Sequence, residues 1–246
     1  MHDLINHIRG KIKDDGEDIS HYVSKPGTQY GSNPGGVMRD PHTNDEHYVK
    51  FYKNHDQARS EVAAAKVYEA VGANTLKPRL VRYKGQLGVA AKWQNLRALG
   101  PEGYHHQEHE TYGEQDHHEL ARHFHAAVLT KNWDTVGLEH DNLKKTKDGK
   151  LTTVDAGGSF KYRAMGGPKE YGADIKEHSS LRDGTNHQSK AAFGGLKHEH
   201  FASHKDTLNS LTHENVHRIF KEAGVDSPEE HTANLLSRRD KIVEKL

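Results

Sequence analysis

Apolar side chains recur at helical spacing in several parts of this chain. The clearest predicted helix is Asp56–Gly72, in which Val62, Ala65 and Tyr68 share one face and Gly72 supplies a stop signal. Alanines within it raise its helix propensity. Further helices are predicted for Gln115–Leu129, Glu199–Ala223 and Pro228–Leu246, and a weakly amphipathic helical segment for Met1–Tyr22.

Strand patterns lie on both sides of the clearest helix. His47–Tyr52 alternates in polarity before it, and Arg79–Tyr83 and Leu87–Trp93 follow it, joined by a turn at Lys84-Gly85. The first 93 residues therefore predict a small antiparallel sheet with one helix. Since the rest of the chain is mainly helical in pattern, the fold class is α+β.

The second half contains shorter features between its helices. Lys150–Val154 is β-branched and predicts a strand after a hairpin turn at Lys147–Lys150. Ser159–Arg163 is predicted as another short strand. Two polar stretches, Asn95–Glu114 and Ala164–Gly195, are predicted to be loops, and the second could face another substrate.

Composition narrows the class of protein. At 246 residues the chain fits one two-lobed domain or two small ones, and a hydrophobic fraction of 33% implies a lean core. The absence of cysteine excludes a disulfide framework and a thiolate zinc site, and fits a reducing compartment. Its 35 basic and 35 acidic residues give no electrostatic indication of nucleic-acid binding. No apolar run approaches the roughly 20 residues of a membrane span. We therefore expect a cytoplasmic protein without a membrane span.

Histidine is unusually frequent, with 22 residues. His200 and His204 lie four residues apart and could share a helix face, but zinc would require a third ligand from elsewhere. A solvated surface is the favoured interpretation, and a histidine-based metal protein is the alternative.

A glycine-rich stretch precedes the first strand pattern. Because glycine has no Cβ, such a stretch lets backbone N–H groups approach a phosphate closely. Neither a P-loop nor a dinucleotide fingerprint is present, because no Gly-Lys-Ser/Thr and no helix follow. The candidate phosphate-contacting residues are Gly31, Ser32, Asn33, Gly35 and Gly36.

Lys50 lies in the middle of a short apolar strand, where burying a charge without a partner would destabilise the fold. A phosphate contact would use that charge. Glu61 lies on the first turns of the following helix and could reach back to hold the lysine extended. At the end of the third strand, Ala91 and Trp93 mark an exit to the second half, where backbone groups could hydrogen-bond an adenine edge.

The stretch 132–159 holds three more polar candidates: Asp134, Asn142 and Asp155. The predicted hairpin would place Asn142, just before its first strand, close to Asp155, just after its second. Oxygen ligands from neighbouring strand ends suit Mg²⁺, with nucleotide phosphates completing its shell. Asp134 would face the γ-phosphate and could orient a hydroxyl.

In their order, these features resemble an atypical protein-kinase-like domain. The segments are GSNPGGV, YVKF, NWDTVGLEHDN and VDAGGSF. They are similar to those of bacterial and phage-associated kinase-like domains, which are distantly similar to phosphatidylinositol kinases and HipA-type kinases. The resemblance implies a two-lobed fold, with a small antiparallel N-lobe at 23–93 after the segment 1–22 and a mainly helical C-lobe at 94–246.

The resemblance also implies a role for each candidate. Lys50 would bind the α- and β-phosphates of ATP and pair with Glu61, and Asp134 would be the catalytic base or hydroxyl orienter. Asn142 and Asp155 would hold Mg²⁺, with Asp141 as an alternative ligand beside Asn142.

The expected function is ATP- and Mg²⁺-dependent transfer of the γ-phosphate to a hydroxyl acceptor. A protein acceptor is favoured, and it could be the chain itself; no specific nucleic-acid partner is expected. A phage origin would place the protein in host cytoplasm or a virion. The alternatives are nucleotidyl (AMP) transfer by the same fold and a non-catalytic, nucleotide-binding pseudokinase.

Overall fold

The computed structural model describes residues 16–101 and 109–246. The strands are β1 (Glu17–Asp18), β2 (Val23–Ser24), β3 (Gly35–Arg39), β4 (Glu46–Phe51), β5 (Arg79–Tyr83), β6 (Gln86–Lys92), β7 (Ala98–Gly100), β8 (His109–Thr111), β9 (Leu143–Lys145) and β10 (Leu151–Thr153). The helices are α1 (His55–Ala70), α2 (His117–Thr130), α3 (Glu177–Ser180), α4 (His187–Phe193), α5 (His198–Ala202), α6 (Lys205–Asn209), α7 (His213–Glu222) and α8 (Pro228–Val243). No helix in this part of the chain has the length and apolar character needed to cross a bilayer.

The first half of the described chain forms a six-stranded sheet in the order β1-β5-β6-β4-β3-β2. Every pairing is antiparallel except that of β1 with β5, so the sheet is mixed and not purely antiparallel as predicted. The predicted helical segment Met1–Tyr22 lies outside the described residues as far as position 15. Its described part contains strand β1 in place of a helix.

The side chains of strand β4 alternate between the two faces of the sheet, because successive side chains point to opposite sides of a strand. Val49 and Phe51 pack on one face in a cluster with Ile19, Tyr22 and Met38. Lys50 points to the other face, toward α1. We call this sheet together with α1 the sheet lobe.

Helix α1 begins where the Asn54 side chain accepts a hydrogen bond from the backbone of Asp56. Its apolar side chains, including Val62, Val67 and Tyr68, join the main hydrophobic core. The same core continues into α2 through Phe124 and neighbouring residues. Helix α1 therefore connects the sheet lobe to the remainder of the molecule, the helical lobe.

The helical lobe is organised around α2 and α8. Arg238 of α8 is fully buried and donates hydrogen bonds to the Val128 carbonyl of α2 and to the Glu177 carboxylate, 2.5 Å away. It also reaches the carbonyl of Gly172. A buried guanidinium is stable only when its donors are satisfied, so this arginine fixes the loop before α3 against the two long helices.

The predicted helix Glu199–Ala223 is wrong as a single element, since it is divided into α5, α6 and α7. Serine and threonine side chains at the breaks compete for backbone groups. Ser203 donates to the carbonyl of His200, and Ser210 donates to that of Thr207. The Thr212 side chain then accepts from the backbone of Asn215 and begins α7.

Two further predictions need correction. Ser159–Arg163 forms no strand, because Phe160 adopts a left-handed backbone with φ of 53° and its ring is fully buried. The predicted loop 95–114 contains the short parallel strands β7 and β8, with residues 102–108 outside the described chain. The predicted loop 164–195 contains α3 and α4.

Candidate functional site

The Lys50 side chain crosses from strand β4 to helix α1. Its ammonium lies 2.6 Å from a carboxylate oxygen of Glu61, and the phenol of Tyr52 donates to the other oxygen at 2.5 Å. Tyr52 lies on the same face of the chain as Lys50, two residues further on. Glu61 is almost fully buried, so its charge is balanced by Lys50 and its second oxygen is satisfied by Tyr52.

Asp155 approaches the same ammonium from the other lobe. Its Oδ2 lies 3.0 Å from the Lys50 nitrogen, and its Oδ1 accepts a hydrogen bond from the backbone of Gly157 at 2.8 Å. Burial alone would lower the pKa of Lys50, but the carboxylates of Asp155 and Glu61 more than offset that effect and raise the pKa well above its usual value. Lys50 is therefore a permanent cation at the junction of the lobes.

Gly157 is required by the close approach of Tyr52. A Cβ at that position would lie 2.6 Å from the Tyr52 oxygen and 3.1 Å from Oδ1 of Asp155. The glycine therefore lets the chain after Asp155 pass against the Tyr52 phenol, which in turn donates to Glu61.

The hairpin of β9 and β10 brings Asn142 beside Asp155, as its sequence pattern predicts. The backbone of Val154 donates to the Asn142 carbonyl at 3.0 Å, which aligns the residue before Asp155 with Asn142. The Asn142 side chain donates to Asp134 twice, to the backbone carbonyl at 2.8 Å and to Oδ2 at 3.1 Å. Asn142 therefore links the Asp134 loop to the end of the hairpin.

Asp134 lies near the start of the loop that follows α2. Its backbone N–H donates to the Asn132 side chain at 3.1 Å, and Asn132 donates in turn to the Tyr68 phenol of α1. Burial, together with the nearby carboxylates of Asp155 and Asp141, raises the pKa of Asp134 to about 6. A carboxylate with this pKa can accept a proton near neutral pH.

Lys169 is a part of the site that the sequence did not indicate. Its ammonium donates to the carbonyls of Lys131 and Gly158, at 2.5 Å and 2.6 Å. Burial lowers the pKa of Lys169 to about 7. The residue lies in an irregular stretch with no periodicity, so only the path of the folded chain could reveal it. The positive charge of Lys169 lowers the pKa of Asp134 and so offsets part of the increase caused by burial and the neighbouring carboxylates.

The residues present fit a hard divalent cation. The amide nitrogen of Asn142 is engaged with Asp134, so its carbonyl oxygen is the atom that could ligate a metal. The Asp155 side chain is 35% exposed and is therefore accessible to a ligand. A carboxylate and an amide oxygen form a donor set suited to Mg²⁺.

The glycine-rich stretch is partly a strand. Gly31, Ser32 and Asn33 lie in a bend, whereas Gly35 and Gly36 begin β3, where Gly35 pairs with Lys50. A Cβ on Gly35 would lie 2.0 Å from the carbonyl oxygen of Val49, so only glycine permits this pairing. The stretch thus lies directly beside the lysine.

Three aromatic rings gather next to the glycine bend. Trp93, at the end of the sheet, stacks on Tyr30 with ring centroids 5.5 Å apart and planes inclined by 15°. The Tyr48 ring lies 6.1 Å from both, and its phenol accepts a hydrogen bond from the backbone of Tyr30. Tyr48 pairs with Ala91 and shares the face of Lys50. Of these rings, the sequence had indicated Trp93 alone as a binding residue.

Among residues 16–101 and 109–246, no set of three histidine or acidic side chains close enough to hold a metal ion includes His200 or His204, so the zinc site considered from the sequence is not formed there. Nδ1 of His200 accepts from the backbone of Lys197, and Nε2 of His204 accepts from Arg122. The rings of both lie beside His118 between α2 and α5. One nitrogen of each ring is therefore already used within the protein.

This chain is similar to known proteins in its architecture and not in its sequence. No family model and no curated protein matches the sequence. A crystal structure of the Helicobacter pylori proinflammatory kinase CtkA matches 94% of this chain and 95% of its own, with a TM-score of 0.56 and 14% identity. The chain has an atypical protein-kinase-like fold. A Shewanella oneidensis HipA, solved with HipB and operator DNA, matches 96% of this chain and 70% of its own, with a TM-score of 0.48 and 13% identity.

The two lobes of this fold carry different parts of the candidate site. The sheet lobe carries Lys50 and Glu61, and the helical lobe carries Asp134, Asn142 and Asp155. The expected α+β, two-lobed fold is confirmed. The boundaries expected at 22/23 and 93/94, and the roles of the individual site residues, stay predictions.

Proposed function

We propose that the protein is an ATP- and Mg²⁺-dependent phosphotransferase that moves the γ-phosphate to a hydroxyl acceptor. The observation that carries this proposal is the contact of one ammonium, Lys50, with Glu61 at 2.6 Å and with Asp155 at 3.0 Å. Phosphoryl transfer needs little covalent chemistry from a protein, because positioning and electrostatic stabilisation supply most of the catalysis.

Lys50 would bind the phosphate chain of the nucleotide. Glu61 holds the Lys50 ammonium and Tyr52 holds Glu61 in turn, so the lysine would lose little rotamer freedom when the ligand binds. Asp155, which contacts this ammonium in the described structure, would turn part of its coordination to the metal. The backbone of the glycine-rich stretch 31–36, which is a bend followed by the start of β3, would cover the phosphates from the sheet lobe.

Asn142 and Asp155 would hold the Mg²⁺, whose positive charge would balance the charge on the phosphate oxygens. Asn142 also keeps Asp134 oriented through its amide nitrogen. Asp134 would accept a hydrogen bond from the acceptor hydroxyl, hold it in line with the γ-phosphate and take up its proton as transfer proceeds. A pKa near 6 leaves most of this group ionised at neutral pH.

The base of the nucleotide would lie against Tyr30, Tyr48 and Trp93. Tyr30 and Trp93 are 64% and 40% exposed, and large aromatic faces left open to solvent suit a planar ligand. The backbone after Ala91 would contact the adenine edge.

A protein acceptor is favoured by the surface around Asp134. Trp133 and Leu138 on the same loop are exposed, as is Met165 in the stretch after Asp155. If these side chains form one contiguous apolar patch, that patch would suit the binding of another polypeptide. The lack of cysteine fits the cytoplasmic setting that we include in this proposal.

The test is incubation of the full chain with γ-labelled ATP and Mg²⁺, alone and with a generic protein acceptor. Label should appear on protein, and Asp155→Ala should abolish it while the circular dichroism spectrum is unchanged. Asp148→Ala is the matched control, because Asp148 is an exposed acid in the same hairpin that pairs with Lys150. It should leave transfer unchanged.

The remaining outcomes decide between the alternatives. Label transferred from α-labelled but not γ-labelled ATP would indicate AMP transfer. Nucleotide binding that depends on Asp155, without transfer of either label, would indicate a pseudokinase. If neither binding nor transfer depends on Lys50 or Asp155, the proposal is wrong.

A further inference from the structure

A second group of ligand-type side chains lies on the sheet lobe, away from the cleft. His21, Asp40 and His42 offer two imidazoles and a carboxylate, with one ligand atom from each lying within 4.8 Å of the other two. Nε2 of His21 is 3.7 Å from Oδ1 of Asp40, and the two imidazole centroids are 5.4 Å apart. Within residues 16–101 and 109–246, no other set of three histidine or acidic side chains brings its ligand atoms this close.

The two segments that carry these residues are held by the fold. His21 lies in the crossing from β1, at one edge of the sheet, to β2 at the other edge. That crossing is anchored by the buried side chains of Ile19 and Tyr22 and by the hydrogen bond from Ile19 to the carbonyl of Arg82. Its path over the sheet therefore fixes the position of His21.

Asp40 and His42 belong to the turn between β3 and β4. The backbone of Asp40 donates to the carbonyl of Asp45 and accepts from Asn44, both at 2.9 Å. The backbone of His42 donates to Oδ1 of Asp40 at 2.8 Å, which orients that carboxylate. Ligands on a backbone that is already ordered lose little further freedom when an ion binds.

We propose that His21, Asp40 and His42 bind a Zn²⁺ ion. Two imidazoles with one carboxylate form a set that zinc accepts, and the three ligands leave a fourth position for water. With bond lengths near 2.0–2.1 Å, tetrahedral ligand atoms lie about 3.3 Å apart. His21 and His42 are exposed, so their rings are free to turn by the small amount that closes the shell.

A bound ion would join the crossing segment to the β3–β4 turn. These residues adjoin the sheet face of Val49, opposite the face of Lys50, because the Tyr22 ring beside His21 packs into the Val49 cluster. The zinc would therefore stabilise the sheet lobe without entering the phosphate cleft. This site does not depend on the proposed phosphotransferase activity.

The test is zinc titration of the chelator-treated full chain by calorimetry, in the presence of a competing chelator that suppresses weak sites. We expect one tight equivalent and a zinc-dependent rise in the melting temperature. In His21→Ala/His42→Ala the tight equivalent should weaken by at least about tenfold, since even changes to residues that only support metal ligands cost about 10–100-fold. Without zinc, this variant should melt like the wild type.

The matched control is His213→Ala/His217→Ala. These two histidines lie on one face of α7 beside Glu229, at 3.1 Å and 3.4 Å from its carboxylate, so the variant removes the same residue types elsewhere. It should keep the tight equivalent. Co²⁺ should give a visible absorption band that only the His21/His42 variant loses, and Mg²⁺ should not compete.

Three results would overturn this inference. One is the absence of any tight equivalent in the wild type. Another is a loss of affinity that is equal in the two double variants. The third is weak binding of several ions spread over the 22 histidines, which would mean an adventitious ion only.

Discussion

The ammonium of Lys50 lies 3.0 Å from the carboxylate of Asp155, and this contact joins strand β4 of the sheet lobe to the turn after β10 of the helical lobe. The same ammonium also forms an ion pair with Glu61 of helix α1, at 2.6 Å. One cation thus sets the relative position of a helix, a strand and a hairpin. In the proposed function, the phosphates of ATP would contact this ammonium.

Replacing Glu61 by Gln should lower kcat/KM for ATP by about 10- to 100-fold. The amide keeps the volume and much of the hydrogen bonding but removes the charge that holds Lys50, and a charged hydrogen bond contributes about 1.5–3 kcal/mol. Steady-state kinetics with varied ATP would measure the loss. Tyr52→Phe keeps the Glu61 charge, so its loss should be smaller. Equal losses in both variants would argue against the charge of Glu61 as the cause.

The transfer rate should depend on pH through Asp134. Only the ionised carboxylate accepts a proton, and burial beside Asp155 and Asp141 raises the pKa of Asp134 to about 6. Therefore kcat/KM should fall by about tenfold per unit as the pH decreases below about 6, and should be level above about 7. Asp134→Asn should have a low rate without this acid limb. A wild-type profile that stays flat to pH 5 would contradict the assignment.

Replacing Trp93 by Ala should weaken ATP binding with little effect on kcat. Stacking of a base on an aromatic ring is worth about 1–3 kcal/mol, which corresponds to roughly 5- to 150-fold in affinity. The chain has 2 tryptophans, so Trp133→Phe leaves Trp93 as a single fluorescent reporter that ATP should quench. Inorganic triphosphate, which has no base, should bind wild type and Trp93→Ala equally. Unchanged ATP affinity in Trp93→Ala would show that the adenine base does not stack on Trp93.

The folded state should become less stable in acid because of histidines buried in α2. Burial lowers the pKa of His123 to about 4 and that of His125 to about 3, against an ordinary value of 6.5. The unfolded chain therefore binds more protons as the pH falls below about 6.5. The free energy of unfolding should decrease toward pH 4 by up to about 1.4 kcal/mol per unit for each of these groups.

Urea denaturation across that pH range would measure this dependence. His125→Leu is an informative variant, because neither ring nitrogen of His125 has a hydrogen-bond partner among the described residues. It should reduce the slope between pH 6 and pH 4. A slope unchanged in that variant would mean that His125 is already charged in the folded protein.

The local pattern of residues was sufficient to predict the elements that are specified by residues close together in the chain. Periodicity predicted α1 and β4–β6 to within one or two residues, because one apolar face and one turn residue specify each of them. The Lys147–Lys150 turn predicted the β9–β10 hairpin, and with it the proximity of Asn142 to Asp155. Pattern failed for residues 199–223, where the apolar spacing continues through breaks made by serine and threonine.

The sequence by itself determined which chemistry the protein can offer: one lysine in an apolar strand, a glutamate on the next helix, and two acids with an amide around a hairpin. Only the tertiary structure decided that Tyr52 and Lys169 join that site and that His21 meets Asp40 and His42 at one end of the paired strands β2 and β3. The Tyr52 contact depends on how α1 packs against β4, and the other contacts join separate segments of the chain, so their geometry depends on how the strands and helices pack. A local pattern of residues does not contain that information.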